Sequence, residues 1–524
     1  MKKISLKKIL IFFFISINYL FAQDSLYLVT SFTGKNIDNK LLGLLNMGDL
    51  NGDGFDEIGI KKKNTNYFDI FFGNEIFNNN NNIRFFTHKQ LKGDAGVNRV
   101  GDVNGDGYDD FITSGFRDTS FISGKVFLYF GGDPLDSIPD FSFEDIYIQD
   151  LLSAGNGGDI NGDGYNDFVV VNPYNWSNGI GKVYLFLGGE TIVDTPSVNF
   201  ASEKLGDFFG YIADLEGDIN GDGFNDLLVT APYLAGAIDS TSNPKCYLYF
   251  GNTTIQSTFD FSFSIGFSEN IRIIGDGNND GFDDFITSEG TSNPKLYFGS
   301  EDFSTSKYLE FSAYSDIDNF GVGFSGIGDI NNDGFDDFAI NIKNFINDQN
   351  IMVSKLNIYL GGSVIDTIPD FSLEGETKWA EFGRIVGKCG DLNGDGYDEF
   401  YVLAPNYPDY ENPLGKVYIY SMKKFLVSVE DGKSKLPQSF KLCHNEPNPF
   451  NPSTTINYQI PKNGFVNLVV YNTLAQEVAE LVNEHQTSGK YSVLFNATGL
   501  SSGVYFYKIE SGSFTKVNKM LLLR

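Results

Sequence analysis

This 524-residue sequence predicts an all-β fold: alternating strand segments after Pro447, such as residues 466–471 and 503–507, suit a small Ig-like β-sandwich, and three features predict a seven-bladed β-propeller before it. A loop of the form Asp-x-Asn-x-Asp-Gly-x-x-Asp/Glu recurs seven times. Four short strand-like segments sit within each recurrence, and no run with helical periodicity separates them.

The loops begin at Asp49, Asp102, Asp159, Asp218, Asp276, Asp329 and Asp391, with spacings of 53, 57, 59, 58, 53 and 62 residues. Self-similarity at a regular period signals a repeat architecture. In the second unit, residues 97–100 lead into the loop, 110–113 leave it, 125–130 form a third strand and 140–143 a fourth. Residues 182–187 and 416–420 echo the third strand. Four strands per unit suit propeller blades. A solenoid needs a shorter period, and separate Ig-like domains need nearer 100 residues each. The seventh unit stops after its third strand, near Tyr420, while an unassigned strand, residues 26–32, precedes the first. That strand is expected to complete the last blade and tie the ends of the ring together.

Residues 1–22 read as a secretory signal: Lys2, Lys3, Lys7 and Lys8, then an apolar stretch, then Leu20-Phe21-Ala22. The propeller is expected over 23–428, a polar linker over 429–446 and a C-terminal domain over 447–524. No other segment is apolar for long enough to suggest a transmembrane span once the signal is removed. The asparagines at 78–82 read as a hairpin loop.

Formal net charge is −30, and removal of the four signal lysines takes it to −34. Such a surface repels nucleic acid and attracts cations. Three widely spaced cysteines, Cys246, Cys389 and Cys443, give no disulfide framework. With only His88, His444 and His485, histidine-dependent chemistry is confined to few places.

Most of the sequence's chemistry lies in the loops. Positions 1, 3 and 5 supply side-chain oxygens, position 7 a backbone carbonyl, position 9 a closing carboxylate, and Gly at position 6 the sharp turn. The candidate ligands are Asp49, Asn51, Asp53 and Glu57; Asp102, Asn104, Asp106 and Asp110; Asp159, Asn161, Asp163 and Asp167; Asp218, Asn220, Asp222 and Asp226; Asp276, Asn278, Asp280 and Asp284; Asp329, Asn331, Asp333 and Asp337; and Asp391, Asn393, Asp395 and Glu399. Hard oxygens in a flexible loop suit Ca²⁺, up to seven ions in all. An EF-hand needs an acid at position 12, where this chain has Ile60, Thr113, Val170, Val229, Thr287, Ile340 and Val402. The loop therefore runs into a strand.

These repeats resemble FG-GAP repeats, as in the N-terminal propeller of integrin α-subunits. The resemblance rests on Phe209-Gly210, residues 217–227 and Ala231-Pro232, on Phe382-Gly383, residues 391–399 and Ala404-Pro405, and on Phe320-Gly321. It implies one calcium loop between two strands of each blade. Residues 447–455, 489–491, 502–507 and 519–524 resemble the type A sorting domain of the type IX secretion system. That resemblance implies Sec export, passage across a Gram-negative outer membrane by the type IX machinery, and removal of the domain.

Residues 23–428 hold no Gly-x-Ser-x-Gly elbow, and the chain has no Walker loop or His-Glu-x-x-His site. The sequence predicts a non-catalytic, calcium-stabilised propeller, secreted or at the cell surface, that binds a protein or glycan. Aromatics such as Tyr174, Trp176, Tyr233, Tyr407 and Tyr410 offer stacking faces. The alternative is a polysaccharide-active surface enzyme, a lyase or hydrolase using paired carboxylates.

Overall fold

The computed structural model describes residues 26–422 and 440–523, apart from 38–39, 76, 78–81, 88–91, 117–123, 145–152, 174–179, 203, 205, 233–243, 266–270, 289–292, 313–319, 348–350, 443–444, 446–449, 463, 474–475, 487–488 and 513. The signal region, most of the linker, His88, Tyr174, Trp176, Tyr233, Cys443 and His444 lie outside these residues. The chain divides into two compact units, Met1–Val427 and Ser428–Arg524. Every named element is a strand, and no described helix is long and apolar enough to cross a membrane.

In the first unit the described strands form seven four-stranded antiparallel sheets. The second sheet is typical: Lys92–Gly101, Asp110–Phe116, Gly124–Tyr129 and Phe141–Glu144 pair in sequence order. First strands of successive sheets lie side by side, and the seventh, Ile385–Gly390, returns to the first, Leu41–Gly48. This is the radial arrangement of a propeller.

Packing explains the radial order. Each second strand is buried on both faces, as in Asp167–Asn172, where all six residues are buried. Its side chains point alternately into the cores on either side. Val169 and Val171 enter one core with Leu215, Leu227 and Val229, while Phe168 and Val170 enter another with Val100, Ile112 and Leu128. Seven such cores alternate with seven sheets, and each aromatic-rich core cements two neighbours. Cross-strand rings recur: Phe111 stacks on Tyr129 at 5.2 Å, Phe168 on Phe186 at 5.1 Å and Phe338 on Tyr359 at 5.1 Å.

The last sheet is completed from the other end of the chain, as the unassigned N-terminal strand suggested. Tyr27–Thr33 pairs antiparallel with Lys416–Ser421, so Phe32 faces Val417 across the ladder. Val29 is buried and Phe32 packs against Phe71 at 4.8 Å, which ties this strand to the core between the last sheet and the first.

The second unit has two sheets. Lys441–Leu442, Ser453–Ile460 and Gly489–Asn496 make one; Glu477–Gln486, Gly464–Tyr471, Gly503–Ser511 and Phe514–Leu522 make the other. Thr454, Ile456, Tyr458 and Ile460 turn inward at alternate positions. They share a core with residues of the other sheet, including Leu468, Tyr507 and Met520.

Candidate metal loops and the ring they form

Positions 1, 3 and 5 are gathered by their own loop backbone. In the second loop Asp102 Oδ1 accepts the amides of Gly105 (2.7 Å) and Asp106 (3.1 Å), and Oδ2 accepts that of Gly107 (2.9 Å). Asn104 Oδ1 accepts the Asp106 amide, its amide group donates to Asp106 Oδ2, and Asp106 Oδ1 accepts from Tyr108. The same wiring recurs at Asp159–Asn161–Asp163 and Asp218–Asn220–Asp222. Asp49–Asn51–Asp53, Asp276–Asp280, Asp329–Asn331–Asp333 and Asp391–Asp395 repeat its main bonds. Gly107 has φ of 90°, a conformation that disfavours any side chain.

Position 9 is placed differently. Glu57, Asp110, Asp167, Asp226, Asp284, Asp337 and Glu399 are all fully buried. Asp110 accepts the Val103 amide at 2.9 Å and the Gly131 amide at 2.8 Å, which staples the loop to the second residue after the third strand. Glu57, Asp167, Asp226 and Asp337 make the equivalent pair of bonds. Glu399 takes the Leu392 amide and the Ser421 side chain, since the last sheet has no glycine there. Burial pushes these carboxyls up, to about 8 for Asp110, Asp226, Asp284 and Asp337, with the neighbouring loop aspartates adding to the rise. Each oxygen that accepts one amide keeps a second lone pair for a cation.

The fifth loop breaks the pattern. Gly277 donates its amide to Gly275 O, as Leu50 and Ile330 do to Gly48 and Gly328, but here the position-9 oxygen that would share the amide, Asp284 Oδ2, is buried without a hydrogen-bond partner, as is Asn278 Oδ1. They occupy positions 3 and 9. Among the described residues, no group of three or more His, Cys, Asp or Glu side chains is drawn together in the way a metal cluster would be.

Position 8, which the sequence reading passed over, joins the loops to one another. The amide of each position-8 residue donates to the position-1 carbonyl of the preceding loop: Asp109 to Asp49, Asn166 to Asp102, Asn225 to Asp159, Asp283 to Asp218, Asp336 to Asp276, Asp398 to Asp329 and Asp56 to Asp391. In six pairs the position-8 side chain also accepts the position-1 amide in return. The residue before position 1 is always glycine. At Gly390 an added Cβ would overlap the Asp56 carboxylate. The signal was available, because position 8 is Asp or Asn in all seven loops.

The first strands line a central cavity of 560 Å³ that contains Arg99, Asp214, Glu216, Arg272 and Lys388. Arg99 pairs with Asp109 at 2.9 Å. Asp214 is nearly fully buried, accepts from Asn156 Nδ2 (2.9 Å) and from the Ile273 amide (3.3 Å), and so bridges three adjacent sheets. Burial, then the Glu216 charge, raises its carboxyl. Cys246 and Cys389 are buried free thiols, pushed up by desolvation.

Two family models match the chain. The FG-GAP repeat matches residues 152–186, 209–239 and 382–420, and the secretion system C-terminal sorting domain matches 447–523. The chain carries FG-GAP repeats and an export-sorting tail. Among curated proteins, the chain is similar to integrin alpha-PS5 of Drosophila melanogaster, 34% identical over 25% of this chain and 14% of that protein. Integrin alpha-V of Gallus gallus is 33% identical over 30% of this chain and 15% of that protein. Integrin alpha-8 of Homo sapiens is 27% identical over 52% of this chain and 21% of that protein. The chain thus matches well under two thirds of the length of each relative. The sorting tail points to a secreted or cell-surface protein that engages the type IX secretion system.

Proposed function

We propose that the FG-GAP propeller is a calcium-stabilised binding module that holds a protein or glycan partner outside the cell without turning it over. The observation that carries the calcium reading is the fifth loop, where Asn278 Oδ1 and Asp284 Oδ2 are buried without partners. A buried oxygen left unpaired costs about 1–3 kcal/mol, and a divalent cation removes that cost. The loop residues fit such an ion. Positions 1, 3 and 5 present oxygens from one turn, and the position-9 carboxyls are buried beside aspartates. Asp49, Asn51, Asp53 and Glu57, with their six counterpart sets, would hold up to seven Ca²⁺.

The ion's part is neutralisation and cross-linking of loop to sheet. Protein oxygens at five positions of each loop suit this structural task better than activation of water. With one end of the strands stitched into a ring, the connections at the opposite end are left to meet a partner.

The test measures calcium binding by calorimetry and thermal stability of the full chain, with calcium and with chelator. A strong fall in Tm on chelation, restored by about 10⁻⁴–10⁻³ M calcium, is expected. An unchanged melting curve overturns the calcium reading. Sustained product release from polysaccharides or esters, in proportion to protein, overturns the non-catalytic one.

A further inference from the structure

The strands run antiparallel, so their connections emerge at two ends. The metal loops join first to second strands at one end. The segments 375–384 and 405–415 emerge at the other, the former entering Ile385–Gly390 and the latter joining Glu399–Ala404 to Lys416–Ser421. The two segments are bonded together: Asn406 donates its amide to Ala380 O at 3.1 Å, and Thr377 Oγ1 donates to Pro408 O at 2.7 Å.

Trp379 in this cluster is out of place for the fold. It has φ of 67°, with Glu381 at 55° and Gly383 at 79°. The corresponding turn of the fourth sheet runs Gly206, Phe208, Gly210 at 75°, 59° and 87°. Trp379 therefore stands where the same turn elsewhere has glycine. A bulky side chain in the left-handed region strains the backbone, and strain of this kind gathers at binding sites. The indole returns little burial for that strain, being 44% exposed.

Cations gather in this cluster although the chain carries a net charge of −30. Lys378 lies over the indole at 4.8 Å. Arg384 and Lys343 hold Glu381 at 2.7 and 2.8 Å, and the Tyr410 hydroxyl donates to the same carboxylate. Lys40 reaches Asn406 Oδ1 at 3.2 Å. Burial, then Lys63, lowers the Lys40 ammonium pKa; Glu381 opposes the shift and Arg384 adds to it. Of the nearby acids, Glu376 pairs with Lys416 at 2.6 Å, and Asp409 accepts the amides of Glu411 and Asn412. Tyr410 presents a second ring, 50% exposed.

We infer that Trp379 and Tyr410, with Lys378, Arg384 and Lys40, form a binding site for an acidic polysaccharide. The proposal rests on the binding reading above and names its ligand class. The partly exposed indole would stack on the flat, C–H-rich face of a pyranose, with the cations of the cluster meeting its carboxylate or sulfate groups. At physiological salt the screening length is about 8 Å, so these local cations outweigh the distant negative charge of the chain.

The experiment uses the calcium-loaded full chain and four probes: uronate oligosaccharides, sulfated galactan oligosaccharides, uncharged galactan oligosaccharides and poly-glutamate. The variants are Trp379→Gly and Arg384→Gln. Binding is expected to one or both acidic sugars, with uronates and sulfated galactans separating the two sources of charge. Trp379→Gly weakens binding tenfold or more while Tm stays level or rises, because the strain is relieved. Arg384→Gln also weakens it, and the uncharged sugar fails to bind. The proposal is overturned if neither acidic sugar binds, if the uncharged sugar binds as well, if poly-glutamate binds with the same Trp379 dependence, or if Trp379→Gly leaves affinity unchanged. Partner binding that persists in both variants sinks this site and leaves the broader reading intact. Product release with Trp379-dependent affinity does the reverse.

Discussion

The amide of Asp56, in the first loop, donates to the carbonyl of Asp391, in the last, at 3.2 Å. The amide of Asp391 donates back to the Asp56 carboxylate at 3.0 Å. Two residues 335 apart in sequence thus repeat the amide-to-carbonyl contact that every pair of neighbouring loops makes, and the hydrogen-bonded ring of loops has no open end. Burial raises the Asp56 carboxyl to about 6, with Arg99 opposing the rise.

Asp56→Ala is expected to lower stability by about 1–3 kcal/mol, the cost of leaving the Asp391 amide without an acceptor. Asp56→Asn keeps an acceptor without the buried charge, as Asn225 does in the contact between the third and fourth loops. It should match or exceed the native Tm near pH 7. Equal loss in both variants, measured by thermal melting, would remove the latch from the account.

Loop positions 1, 3, 5 and 6 were legible because Asp, Asn, Asp and Gly at fixed offsets specify a turn by themselves. Position 8 was not, because its role depends on register between loops more than 50 residues apart. Position 9 reads as a ligand from spacing alone. Its second task, holding Gly131 or Gly188 at the end of a third strand, shows only when the sheet is assembled. The N-terminal strand was legible by completion, since the last unit lacked a partner for residues 416–420. Trp379 gave no signal, since its residue type does not disclose a φ of 67°.

Loops two and five should respond differently to loss of position 9. Asp110→Ala strands two amides, those of Val103 and Gly131, whereas Asp284→Ala strands only that of Gly299. At about 1–3 kcal/mol per stranded amide, Asp110→Ala is the more damaging of the two in chelator by roughly a factor of two. Both variants should show a smaller calcium-induced rise in Tm than the native chain. Chemical denaturation with and without calcium measures both effects, and equal losses in chelator would refute the staple.

Without calcium, stability should fall as pH rises from about 4 to about 8. The position-9 carboxyls titrate near 4 when unfolded. Burial holds them higher in the fold, at about 7 for Asp167 and about 8 for Asp110 and Asp337. In that window the native state carries more protons than the unfolded chain, so stability declines with pH. Glu381 works in the opposite sense at lower pH. Although burial opposes it, hydrogen bonds from Lys343, Tyr410 and Arg384 hold its carboxyl at about 2, so its contribution is complete above about pH 4.5 and is lost progressively as pH falls to about 2. Calcium favours the ionised loops and should flatten or invert the slope between pH 5 and 8. Melting curves across this range, in chelator and in millimolar calcium, decide it. A Tm that rises with pH in chelator contradicts the buried-carboxylate account.

Phe450 should matter to export through the stability of the sorting domain. Its amide donates to Leu521 O and its carbonyl accepts from Leu523, both at 3.0 Å, so the start of the sorting domain is fastened along the last strand of the chain. The ring is buried and packs with Phe495 at 6.0 Å in a core shared with Tyr507 and Leu522. Phe450→Ala leaves a cavity there, and truncations of this kind cost about 3–5 kcal/mol. A domain of fewer than 100 residues has a small margin of stability, so a loss of that size leaves much of it unfolded. Full-length Phe450→Ala protein should therefore accumulate in the periplasm, as should a chain lacking residues 447–524. A propeller fragment ending before the tail should keep the native Tm and calcium response. Fractionation of cells making each variant checks the first expectation, and melting of the purified propeller checks the second. Delivery of either tail variant to the surface at native levels would show that a folded tail is not what the export machinery recognises.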